Sequence, residues 1–255
     1  MSRPEGVPAR PRRIARPLLL GAACAALLCA GAGPPADAAT PPGTTIARLS
    51  NLRTSTRWAY PTRAALVRSS PVASSRPVGR LRFLTGDAQA QLYVALASAR
   101  RPGGRTWIQI EVPGRPNGRV GWVPRSALGA LNTVNGYLHV DQQALIATLY
   151  RDGNAIFSAP VGVGKPSTVT PTGHFYVLEK LVTANAPAYG PFAIGTSAYA
   201  PTLSEWPGGG VVGIHGTNEP QLVPGRPSHG CIRMHDADIA KLWSLIRLGT
   251  PIDIT

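Results

Sequence analysis

Seven consecutive residues carry the densest chemistry in this chain: Ser228-His229-Gly230-Cys231-Ile232-Arg233-Met234. A second block, Gly213-Ile214-His215-Gly216-Thr217, places a histidine 16 residues before the thiol. A free thiol has a pKa near 8.5 and is mostly protonated at neutral pH. A histidine within hydrogen-bond reach can take that proton, turn the sulfur into a nucleophile and later return the proton to a leaving amine. Gly213, Gly216 and Gly230 permit close backbone approach where a substrate meets the main chain. Amides around Gly230 and Cys231 are placed to face an oxyanion. Spacing alone does not choose between His215 and His229 as the base. A buried structural thiol is the bland alternative, since free cysteine is commonly buried. A zinc set of His215, His229, Cys231 and His235 is a poor fit, because His229-x-Cys231 is cramped for two ligands of one ion. The site is therefore read as needing no metal and no cofactor.

The elements around this site begin with an export signal. Five arginines lie within residues 1–16, an apolar run of about 15 residues follows from Leu18 to Ala32, and Ala36-Asp37-Ala38 supplies small residues for cleavage. The run is short of the roughly 20 residues that span a bilayer. Cleavage after Ala38 would remove Cys24 and Cys29 and leave Cys231 as the single thiol. It would also remove five arginines and two acids, so the formal charge of +14 becomes +11. The expected location is periplasmic or at the cell wall. That placement excludes nucleic acid, and a basic surface there suits an anionic wall.

Residues 39–62 read as a linker and 63–130 as a small all-β domain. Short apolar runs, Ala65-Leu66-Val67, Val78 to Leu84, Gln91 to Leu96, Trp107 to Val112 and Val120 to Val123, are broken by Gly, Pro and Asn about every ten residues. Leu66 to Pro71 and Gly118 to Val123 followed by Leu128 resemble the first and last strands of bacterial SH3-like domains, with an insertion around Ala97 to Gly104. Trp107 and Trp122 are expected in its core. Residues 131–255 form a second unit, mostly β with about one helix. Tyr137 to Val140, Leu145 to Tyr150 and Ala155 to Val163 alternate at period two, with Asp152-Gly153-Asn154 as a hairpin turn. His174 to Glu179 and Val211 to Ile214 read as further strands, which leaves His139 and His174 on strand surfaces. Ile239, Leu242, Trp243 and Ile246 fall on one helical face, with Asp236 as the expected cap and Gly249 and Pro251 as the stop.

His-Gly-Thr at 215–217 followed by Ser-His-Gly-Cys-Ile-Arg at 228–233 resembles the signature of L,D-transpeptidases with a YkuD-type catalytic domain. Val161 to Lys165 and Thr170 to Phe175 are similar to that family's upstream motifs, and the likeness covers about 120 residues. The resemblance implies a β-rich fold and Cys231 attacking a peptidoglycan tetrapeptide stem, with release of the terminal D-residue and transfer to an amine. It implies His215 as general base and His229 as a residue lining the site. It assigns Ser228, Gly230, Gly216 and Thr217 to the substrate loop, and Arg233 to a substrate carboxylate, which its planar fork suits. Carbapenems would be covalent inhibitors, and a monomer is expected. Two other functions compete: an L,D-carboxypeptidase, which passes the acyl group to water, and a wall-binding module with an inactive second domain.

Overall fold

The computed structural model describes residues 42–100, 104–183, 185–203 and 209–255. The segment read as an export signal, with Cys24 and Cys29, lies outside them, as does part of the expected insertion near residue 101. The described residues form one compact unit built on two sheets.

The first sheet holds β1 (Thr45–Arg48), β2 (Thr56–Ala59), β3 (Leu66–Arg68), β4 (Pro77–Arg80), β5 (Tyr93–Arg100), β6 (Thr106–Glu111), β7 (Val120–Pro124) and β8 (Asn132–Val134). Its order is β4-β3-β7-β6-β5-β2-β8, with β1 also on β5. Val67, Tyr93, Ile108, Ile110 and Val123 fill its interior. Trp107 and Trp122 pack with Ala97 and Ala99, as core residues. The stretch expected as a linker contains β1 and β2, so the sheet starts well before residue 63. Those strands escape a pattern reading because β1 is exposed at every position and β2 is only four residues long.

The second sheet holds β9 (Gly136–Asp141), β10 (Ile146–Arg151), β11 (Asn154–Pro160), β12 (Gly162–Gly164), β13 (Gly173–Val182), β14 (Phe192–Tyr199), β15 (Val211–His215), β16 (Gly225–Ser228), β17 (Ile232–Arg233) and β18 (Pro251–Ile254). Its order is β11-β10-β9-β18-β13-β14-β15-β17-β12-β16. The β10–β11 turn forms at Asp152 and Gly153, both with positive φ, as a tight hairpin requires. The one α-helix, α1 (Asp236–Leu245), packs Ile239 and Leu242 into the core beside Ile214 and Ile232. Its N-cap is His235 rather than Asp236, and His235 makes no side-chain cap bond to the backbone. The Asp236 carboxylate instead accepts the Thr217 N–H at 3.0 Å, outside the helix. The protein is thus mostly β with a single α-helix among the described residues.

The two sheets meet along a buried seam. Leu92, just before β5, and Val94 of β5 pack on Tyr176 and Leu178 of β13. The Tyr176 hydroxyl donates to Leu92 O at 3.3 Å, and the Ser197 hydroxyl of β14 donates to the Glu111 carboxyl of β6 at 3.4 Å. Arg115 and Asn117, between β6 and β7, bond the backbone at Tyr199, Ala200, Leu203 and Gly209. Burial pushes the Glu111 carboxyl up to about 8.

Candidate active site

Alternation along two neighbouring strands builds the site. β15 and β17 are parallel neighbours, with Ile214 opposite Ile232 and His215 opposite Arg233. Side chains on a strand alternate between faces. Ile214 and Ile232 are both fully buried in the core. Gly213, His215, Cys231 and Arg233 therefore share the other face. The Gly213 N–H points to the Cys231 sulfur at 3.4 Å. Gly213 itself carries no side chain that would stand between the thiol and the imidazole.

Both groups line a cavity of about 260 Å³, together with Tyr189, Leu203, Ser228, His229, Gly230 and Arg233. The His215 ring is buried, and its Nδ1–H donates to Gly216 O at 2.6 Å. That bond leaves Nε2 as the acceptor of the ring. The Tyr189 ring sits 4.7 Å from it, centroid to centroid, at a 58° tilt. Burial lowers the imidazole to about 4, with Arg233 adding to the effect and the Gly216 bond opposing it. Burial raises the Cys231 thiol, while the Gly213 N–H and Arg233 pull the other way. Burial thus favours the neutral form of both groups.

His229 is placed differently. It is exposed, and its Nε2 accepts from the Lys165 ammonium at 3.3 Å. The cysteine loop is clamped from below by the chain between β12 and β13. The Thr170 hydroxyl donates to Gly230 O at 2.8 Å and accepts the Gly164 N–H at 2.9 Å. The Thr168 hydroxyl and Lys165 N–H both reach Ser228 O. Within the loop, the Ser228 hydroxyl donates to Cys231 O at 2.5 Å and accepts the Gly230 N–H at 3.1 Å. That last bond occupies one of the two amides expected at an oxyanion. Gly230 has φ +120°, a conformation that side chains rarely adopt, so glycine is required at this bend.

Of the remaining sequence candidates, Arg233 lines the cavity, whereas Gly216 and Thr217, expected on the substrate loop, do not. Arg233 donates to Glu219 at 2.7 Å, so its guanidinium already has one carboxylate partner. Gly216 packs against Asp236 and Gly190, where a methyl group would collide. Thr217 is buried and tied to Asp236 and Glu219 through its amide and hydroxyl, and it supports the loop behind His215. Tyr189, Thr168, Thr170 and Glu219 were not foreseen as site residues. Only Thr170 lay inside a recognised motif; the others reach the site through folding, from positions with no local signal.

Comparison with known proteins places this geometry in a family. The model of the YkuD L,D-transpeptidase catalytic domain matches residues 135–254. YkuD of Bacillus subtilis (strain 168) is 35% identical over 122 residues, covering 48% of this chain and 67% of its own length. YqjB of the same organism is 38% identical over 103 residues, 37% of this chain and 57% of that protein. The chain belongs to the YkuD-type L,D-transpeptidase family. A crystal structure of Enterococcus faecium L,D-transpeptidase overlaps 47% of this chain and 49% of its own, at 27% identity and a TM-score of 0.36. One from Mycobacterium tuberculosis H37Rv overlaps 60% and 90%, at 14% identity and 0.39. The chain thus spans about two thirds or less of the Bacillus relatives, and the family match begins after the first sheet.

Proposed function

We propose that this chain is an exported peptidoglycan L,D-transpeptidase that works through a Cys231 thioester. The observation that carries the reading is the shared cavity. A thiol and a buried imidazole with an unprotonated Nε2 face one space, and the other face of both strands is locked in the core. In the proposed first step, His215 Nε2 takes the thiol proton as the sulfur attacks the carbonyl before the terminal D-residue. The C–N bond breaks, and His215 returns the proton to the departing amine. In the second step an acceptor amine displaces the sulfur. His229, exposed and beside Lys165, is assigned to substrate contact rather than proton transfer. The free edge of the Arg233 guanidinium, with Lys165 and His229 nearby, suits a donor that ends in a carboxylate. The basic part around the first sheet, with Arg68 and Arg80 on its strands and Arg63, Arg76 and Arg82 beside them, is read as the SH3-like part that holds an anionic wall.

The test is a mass measurement on intact protein exposed to a carbapenem. One adduct on the wild type and none on Cys231→Ser is the expected result, because an alcohol is not activated as a thiol is. An adduct of equal yield on Cys231→Ser would overturn the cysteine mechanism. Products from a purified disaccharide-tetrapeptide then separate cross-linking from hydrolysis, the carboxypeptidase alternative.

A further inference from the structure

One guanidinium of the first sheet is bound into the surroundings of the thiol. Arg115 lies in the loop between β6 and β7. Its Nε and Nη2 both donate to Ala200 O, at 3.1 and 2.9 Å. Nη2 also donates to Leu203 O at 2.7 Å, and Nη1 to Gly209 O at 2.8 Å. All three acceptors are neutral main-chain carbonyls, and Arg115 forms no ion pair among the described residues. The guanidinium also sits over the Tyr199 ring, 5.2 Å from its centroid. Two residues on, Asn117 pairs with Tyr199 as a neighbouring strand would. Its Nδ2 donates to Tyr199 O at 2.8 Å, and its Oδ1 accepts the Tyr199 N–H at 3.0 Å. A planar fork that meets three carbonyls fixes their positions relative to one another, which a point charge does not.

The stretches held in this way border the site. One runs from the end of β14 to Leu203, the other from Gly209 into β15. The Ala200 N–H donates to Gly210 O at 2.8 Å and joins the two. Cys231 and His215 line two cavities, the first of about 260 Å³ and a second of about 310 Å³ that reaches Glu179 and Asp87. Ala200, Leu203 and Gly210 are part of the lining of the first, and Arg115 and Asn117 are not. Ala200 is buried beside the nucleophile loop, where a Cβ on Gly230 would lie 3.6 Å from the Ala200 methyl carbon. Gly210 has φ +80°, and any side chain there would collide with Leu203 O and the Arg115 guanidinium. The glycine thus admits the arginine to the back of the wall.

We propose that Arg115 and Asn117 are positioning residues for the thiol site. Through the main chain they fix the wall made by Ala200, Leu203 and Gly210, and so set how well the donor stem peptide is held against the sulfur. This rests on reading Cys231 as the acylated nucleophile. The donor carbonyl has to lie about 3–3.5 Å from the sulfur to react, so a displaced wall costs rate even though the thiol and the imidazole are intact. A reagent of a few atoms needs only the thiol and makes no use of the wall. The first sheet then has a role at the active site that is independent of what it binds elsewhere.

The test uses the full chain and two reactions at Cys231. With a tetrapeptide donor, Arg115→Ala together with Asn117→Ala should lower kcat/KM by about tenfold or more, the scale that a small misplacement in an active site produces. Alkylation by iodoacetamide, followed by mass on the peptide that contains Cys231, should stay within about twofold of wild type, since it needs no bound geometry. An unchanged kcat/KM, or an equal fall in alkylation, would overturn the positioning role. Arg115→Lys keeps the charge but cannot span three carbonyls, so it should stay nearer the alanine variant than the wild type. Full activity in Arg115→Lys would show that charge alone matters and overturn the brace. Should the paired variant fail to fold, Arg115→Ala alone decides, because that side chain is exposed and its removal leaves no gap in either core. Absence of carbapenem labelling of the wild type would instead overturn the cysteine reading.

Discussion

His215 owes its lowered pKa mainly to burial, and this fixes the range over which it can act. A group that titrates at about 4 is a neutral base at every pH above that value. Acylation should therefore hold its rate as pH falls through 6.5, where an exposed histidine would begin to protonate, and decline only toward about 4. A stopped-flow pH profile of carbapenem acylation checks this, and an acid limb centred near 6.5 would overturn the buried imidazole as the base. The same shift has a stability sign. The folded pKa lies below the unfolded one, so the contribution is present above 6.5 and is lost as pH falls from there toward about 4. At pH 7, His215→Ala should slow acylation by on the order of 10²-fold and His229→Ala by much less, since only the first removes a general base. The cluster of the thiol and two histidines was legible because its signals are local: glycines, thiol and imidazoles within two short blocks. Tyr189, Glu179 and Asp87 were not, since each is ordinary where it stands and comes to line a cavity with the thiol only through the fold.

At the scale of elements, the site depends on two alternating strands and one clamp. The strand alternation could be read from apolar Ile214 and Ile232 between reactive neighbours. The clamp could not, because Thr170 acts on a loop about sixty residues away. Thr170→Val should cost about 1–3 kcal/mol, because it leaves Gly230 O and the Gly164 N–H buried without partners. Urea titration measures that loss, and a parallel fall in acylation rate would show that the loop has lost its geometry. Helix α1 was legible through its period, yet its start was misjudged: Asp236 has the composition of a cap and serves the Thr217 loop instead. β14 had no pattern to find, because Phe192–Tyr199 is rich in small residues and nearly all buried, so no polar face alternates with an apolar one.

Across the whole molecule, the seam between the sheets is the part that sequence conceals most. Two runs of strands with a plausible boundary near residue 130 suggest separable domains. The structure instead ties them with Leu92, Val94, Tyr176 and Leu178, and with Arg115 bracing the backbone at Leu203, beside the first cavity. Glu111 reports on this seam. Its folded pKa of about 8 lies above the ordinary 4.5, so its stabilising effect is full below 4.5 and is lost as pH rises through 8. Glu111→Gln should therefore gain stability relative to wild type as pH passes from 5 to 9. A relative gain of about 1 kcal/mol would appear as roughly 2–4 °C in Tm for a chain of this size. A constant difference across that range would place the Glu111 carboxyl in water.

The position of β18 has a consequence for how the second sheet closes. Residues 251–254 do not close an edge of the second sheet; they lie between β9 and β13, and hold the two halves of that sheet together. Without them β9–β11 and β13–β15 share no ladder of backbone bonds, and only side chains and loops cross from one half to the other. A chain ended at Thr250 should lack the near-UV circular dichroism of packed aromatic rings, although every residue of the nucleophile loop is present.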